Sequence, residues 1–214
     1  MILVLLTALS FGAEDPLGPI ALAEAGTALA RGQGNGGIVS NPGLLGLESR
    51  YTLSGYGQIG PQDRRGWGVS ALDSTTSDRY ALGLSYSGET EEPALSDDDL
   101  PVWTPSGKMP NNVKRYHDIT MALGVPLWQR FLSVGAHIDW ALYDHDQQGK
   151  GSVADVGLGL AGRPNTWLTL GVATRNLWSG DPLGDRPFGV GGGAQGAWKY
   201  GSINLESTWD AYQE

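Results

Sequence analysis

From Ser49 onward the chain falls into segments of about ten residues in which apolar and small or polar side chains alternate, the period of a strand with two unlike faces. In Arg79 to Ser87, Tyr80, Leu82, Leu84 and Tyr86 share one face, against Arg79, Ala81, Gly83 and Ser85 on the other. Phe131 to Tyr143 repeats the pattern at greater length, with Leu132, Val134, Ala136, Ile138, Trp140 and Leu142 opposing Ser133, Gly135, His137, Asp139 and Ala141. Ser49 to Gly60, Trp67 to Thr75, Lys114 to Val125, Ser152 to Gly162, Trp167 to Arg175, Gly189 to Trp198 and Ser202 to Tyr212 read the same way. Nine strands are expected, in an all-β, antiparallel, up-and-down fold.

Alternation alone fits both a secreted soluble β-sandwich, which hides its apolar faces in a core, and a transmembrane β-barrel, which turns them to lipid. Two features favour the barrel. The connections expected after odd strands are long (Pro61 to Gly66, Gly88 to Val113, Asp144 to Gly151, Asn176 to Phe188). Those after even strands are short (Thr76 to Asp78, Pro126 to Arg130, Arg163 to Thr166, Lys199 to Gly201). That sorting is what short turns on one side of a membrane and longer loops on the other produce. Trp67, Trp128, Trp140, Tyr143, Trp167, Trp178 and Trp198 lie near strand ends, where aromatic rings suit headgroup levels. Charged residues make up 17% of the chain, below the roughly 25% usual for soluble domains.

Met1 to Ala13 is an apolar run closing on small residues, the pattern of a signal peptide cleaved after Gly12, although no Lys or Arg precedes it. The domain reading is a signal peptide at 1–12, a lead-in or plug at 13–48 and the barrel at 49–214. Within the lead-in, Ile20 to Ala30 is Ala-rich with helical propensity and Arg31 to Ser40 is Gly-rich and polar.

Ala23-Glu24-Ala25-Gly26-Thr27-Ala28-Leu29-Ala30, followed by Asn41-Pro42-Gly43-Leu44, resembles the start of the FadL-like long-chain fatty acid transporter family and of the PorV-like outer-membrane proteins. Gly171-Val172-Ala173-Thr174-Arg175-Asn176-Leu177 is similar to a strand end that recurs in the PorV-like group. The resemblance implies a barrel whose N-terminal segment enters the lumen as a hatch, and either uptake of hydrophobic solutes or an accessory role in protein export. Here Gly43 replaces the family's Ala, one residue is missing before Leu44, and those families have more strands. The end, Tyr212-Gln213-Glu214, lacks the terminal aromatic usual for barrel assembly. The sequence reads as short of its C-terminus or as an unusually small member.

Net charge of -9 is the wrong sign for a phosphate backbone, so nucleic acid is set aside. With no Cys there is no thiolate chemistry and no disulfide. No G-x-S-x-G elbow occurs, and the three His residues, His117, His137 and His145, form no catalytic set; an outer-membrane lipase lacks its nucleophile. Arg79, Asp118, His137, Asp139, Asp155 and Arg175 are expected on the inward face as lumen polar residues satisfying one another. Asp144, Asp146, Gln148, Gly149 and Asp155 follow the spacing of a calcium loop, but Gln148 and Asp155 are the wrong residue types at two of its positions, and an ordinary polar hairpin is the plainer reading. The loop from Gly88 to Val113 holds Glu89, Glu91, Glu92 and Asp97 to Asp99, a solvated face, or a site for divalent-cation bridging to lipopolysaccharide or for docking of a partner. The expectation is an outer-membrane barrel without cofactor or enzymatic chemistry. Its partners are outer-membrane lipid and either hydrophobic small molecules or export-machinery proteins.

Overall fold

The computed structural model describes residues 29–30, 35–59, 65–91, 114–145, 149–178 and 188–211. Nine strands dominate: β1 (Tyr51–Ile59), β2 (Arg65–Asp73), β3 (Ala81–Glu91), β4 (Lys114–Leu127), β5 (Leu132–His145), β6 (Gly149–Gly162), β7 (Leu168–Arg175), β8 (Phe188–Trp198) and β9 (Gly201–Ala211). They form one sheet in the order β1 to β9, each strand antiparallel to its sequence neighbours. The sheet is not closed, since among the described residues β1 pairs only with β2 and β9 only with β8. The signal-peptide reading at 1–12, most of the lead-in and the acidic run Asp97 to Asp99 lie outside the described residues.

The end of the sheet where β1 starts is called the near end, and the other the far end. The expected sorting of connections holds only in part. Residues 92–113 and 176–187 separate β3 from β4 and β7 from β8 at the far end. Between β5 and β6, however, only residues 146–148 intervene, because both strands run 14 residues. Lys150 and Asp144, which the alternation places in a loop, are register partners whose charges meet at 2.8 Å, and the ladder continues through them. At the near end, residues 74–80 make a longer turn than expected. There the Asp73 carboxylate accepts from the backbone N–H groups of Thr75 and Thr76 at 2.9 and 3.0 Å and orders the chain.

Register places every even-numbered position of β3 on one face and every odd-numbered one on the other, and the neighbouring strands follow. Leu53, Leu84, Met121, Ile138, Leu160, Val172 and Leu205 lie on the outward face, all exposed, Leu53 to 72% and Met121 to 61%. The inward face carries Gly83, Gly124, Gly135, Gly159, Gly171 and Gly193, with Ala81, Ala122, Ala161 and Ala173 buried among them.

Two short helices, α1 (Gly37–Ser40) and the 3-10 turn η1 (Pro42–Gly46), lie on that glycine-rich face. Asn41 starts η1: its Oδ1 accepts from the Gly43 N–H at 3.0 Å, and Pro42 supplies a ready φ at the first position. The backbones touch. A Cβ on Gly43 would stand 2.9 Å from backbone atoms of Gly159, Leu160 and Ala161, and one on Gly135 would collide with Pro42. Ile38 and Leu45 bury against Leu72, Ala81 and Ala122, while Leu44 and Leu47 bury against Ala161.

This segment also spans the width of the sheet. Asn35 Nδ2 donates to Ser54 of β1 and Ser70 of β2, while Ala30 sits against Gly193 of β8 and its N–H, like that of Leu29, donates to Glu206 of β9. Five chain steps from Ala30 to Asn35 reach about 18 Å, whereas β1 and β9, held from those two ends through Ser54 and Glu206, would stand about 38 Å apart in a flat sheet, more than the chain and its two end contacts together can bridge. The sheet therefore curls into a trough around the segment.

Candidate functional site

The trough is the candidate site, and its near half is occupied by the chain itself. Asn41, wholly buried, ties two parts of the N-terminal segment together: its amide donates to Leu29 O at 2.6 Å while its Oδ1 caps η1. Pro42, Gly43 and Leu44 are buried beside it, so the four motif residues Asn41, Pro42, Gly43 and Leu44 act as one seated unit. Three arginines hold the near end of the segment. Arg130 donates to the carbonyls of Gly46 and Ser74 at 3.3 and 3.1 Å, Arg163 meets Glu48 at 2.7 Å, and Arg50 lies 3.6 Å from the same carboxylate. Burial pushes the Arg50 guanidinium below its ordinary pKa; Glu48 opposes that and Arg163 adds to it. Arg130 reaches its partners from a turn in which Trp128, Gln129 and Arg130 all have positive φ, 46°, 58° and 64°. A groove of about 460 Å³ lies between this turn and the one at Arg163 to Thr166.

Above the segment, toward the far end, the inward face is polar. Asp118, His137, Asp139, Asp155 and Arg175 all lie on it. Asp139 and Asp155 stand opposite each other in register, and the Thr120 hydroxyl donates to Asp139 at 2.8 Å. His137, 6% exposed, lies over Gly157, and its Nδ1 has no hydrogen-bond partner among the described residues. Arg175 pairs with Asp210 of β9. Arg79 is the exception: it sits exposed in the turn before β3, because the ladder begins only at Ala81.

The calcium-loop spacing does not make a site. Asp155 faces the trough beside Asp139, whereas Asp144 is on the outward face, ion-paired to Lys150, so its two ends point to opposite sides of the sheet. Asp146 and Gln148 lie outside the described residues. Among the described residues no three carboxylates or imidazoles converge on a point where a metal could sit.

Sequence reading missed the partners that come from distant strands, Glu206, Asp210 and Thr120, and from turns, Arg130 and Arg163. It also missed an order on the outward face. Counting from the far end, register aligns Arg65, Thr90, Arg115, Asp144 and Lys150 in one row. Next come Trp67 and His117, and then Tyr86, Ile119 and Trp140. Trp67 packs on Tyr86 at 5.0 Å, and the Tyr86 hydroxyl lies 2.9 Å from His117 Nδ1. Aliphatic rows follow, Leu84, Met121 and Ile138, then Leu82, Leu123 and Leu158. At the near end, rings return in Tyr80, Phe131, Trp167 and Trp198, all exposed. Compared with protein families, with curated proteins and with solved structures, the chain finds no match, so its function is read from this geometry.

Proposed function

We propose that this chain is an integral β-barrel protein of a bacterial outer membrane, exported by its apolar leader and plugged from within by residues 35–48. The observation that carries the reading is the layered outward face. An exposed apolar surface of this extent is far beyond what soluble monomers tolerate, and it has the order of a bilayer: charge, rings, aliphatic side chains, rings. Its height fits as well. Trp209 stands opposite Val190, eight positions along β8 from Trp198, which is about 27 Å along the strand and about 21 Å at the tilt usual in barrels. Eight of the nine strands run 9 to 14 residues, enough for the roughly 9–11 needed to cross, and β7 has 8. A soluble sandwich would need a second sheet over this face, and all nine strands described belong to one sheet.

Of the two roles open to such a barrel, the inward face favours a scaffold in export over a conduit for apolar solutes. The near half is filled, and the far half carries Asp118, Asp139, Asp155 and the Arg175–Asp210 pair, poor company for an apolar solute.

Refolding the chain with and without lipid tests the reading. Vesicle-inserted protein should resist alkaline extraction and show tryptophan quenching by lipids brominated on their acyl chains, and detergent-free protein should aggregate. A monodisperse, lipid-free protein in plain buffer would refute it. Transfer of a fatty acid into vesicles holding the protein faster than into empty ones would overturn the choice of scaffold over conduit.

A further inference from the structure

We propose that the outward row at the far end, Arg65, Thr90, Arg115, Asp144 and Lys150, is a binding site for the net-anionic, phosphorylated headgroup of a membrane lipid; it rests on the membrane reading above. The five residues come from five consecutive strands, β2 to β6, and are strict register neighbours on one face. Three are cations and one is a carboxylate, in a chain whose net charge is -9. This concentration of positive charge is local.

Its place in the layering selects the ligand. Lys150 and Arg115 are exposed to 79% and 45% at their side chains, with Asp144 between them at 2.8 and 3.8 Å. Both cations reach the same Asp144 oxygen, so Asp144 holds their charges within about 7 Å of each other, close enough to share the oxygens of one phosphate. One layer deeper lie Trp67 and His117, then Tyr86 and Trp140, polar-edged rings of the kind that sit at the ester level of a bilayer. Deeper still, Leu84, Met121 and Ile138 offer a dry bed for acyl chains. A free anion would use the cations and ignore the two layers beneath. A lipid with a phosphorylated headgroup uses all three. Glu89, next to Thr90 on β3, belongs to the inward face and does not oppose the row.

The test uses the whole chain refolded into nanodiscs of phosphatidylcholine and phosphatidylglycerol in equal parts, with native mass spectrometry of the lipids retained on release. Wild type should retain phosphatidylglycerol in preference, and the R65Q/R115Q/K150Q variant should lose that preference, by about fivefold for each charge removed. Asp144→Asn should raise it by a similar factor, and Lys199→Gln, at the near-end turn, should leave it unchanged. Insertion of wild type with no headgroup preference, or loss of the preference to millimolar inorganic phosphate, would overturn the proposal alone. Failure of wild type to insert even into phosphatidylcholine would sink the membrane reading and this site with it.

Discussion

Arg175 reaches across β8 to hold Asp210, its Nη2 lying 2.7 and 2.9 Å from the two carboxylate oxygens. Gly189 lies between them in register, and a Cβ there would come within 2.5 Å of the carboxylate and 2.7 Å of the guanidinium. The pair thus bridges three strands because the middle one has no side chain. Asp210→Ala should cost about 1.5 kcal/mol in urea unfolding, and Gly189→Ala a similar amount, since each breaks the charged pair. The R175M/D210M double variant should recover most of the loss. A double variant less stable than either single one contradicts this account.

The glycine floor makes a sharper prediction. Gly159→Ala or Gly171→Ala should lift the N-terminal segment, because the added methyl would collide with Asn41 in the first case and with the Leu29 carbonyl in the second. The readout is trypsin cleavage at Arg50, which should accelerate several-fold while strand content by circular dichroism stays constant. Gly196→Ala, with nothing within 4 Å of the new atom, should behave as wild type. Equal cleavage in all three would show that the segment is not seated there.

Asn41 should be sensitive out of proportion to its size. Asn41→Ala removes both the cap on η1 and the tie to Leu29, stranding buried backbone groups, and should lower stability by about 2 kcal/mol. Asn41→Asp keeps the acceptor and loses the donor, so a milder Asp variant would assign the greater part to the cap.

Met121→Arg separates solvent from lipid on the outward face. At a position exposed to 61%, the change would move the stability of a water-soluble protein by less than about 0.5 kcal/mol. Facing the middle of a bilayer it should cost about 2 to 4 kcal/mol. Unfolding from lipid vesicles measures the difference, and a near-neutral result argues against lipid contact.

The turn at Trp128 to Arg130 stores strain. Gln129 has φ of 58° and is exposed, so Gln129→Gly should stabilise by about 1 kcal/mol in urea unfolding by removing a side chain from the left-handed region. A destabilised variant would mean the glutamine makes a contact worth more than that strain.

The strands were legible because the two-residue period persists wherever one face differs from the other. All nine begin and end within four residues of the alternating segments. The inward placement of Asp118, His137, Asp139, Asp155 and Arg175 followed from that parity. Arg79 did not, since parity holds only inside a ladder and its strand starts two residues later. The hairpin through Asp144 and Lys150 was hidden because an ion pair at a strand end has the composition of a loop. The glycines looked like generic small residues; their purpose depends on Pro42, Gly43 and Leu29, far away in sequence. The charge row was invisible for the same reason, as register across five strands is a property of the sheet and of no single segment.

The strand order has an arithmetic of its own. In a meander each strand reverses the last, so with nine of them the first and the ninth point the same way. Zipping those two rims directly together would create the sheet's sole parallel ladder, with its slanted hydrogen bonds. Any seam that kept reversing would instead need an odd number of guest strands between the rims, and would raise the tally to an even one.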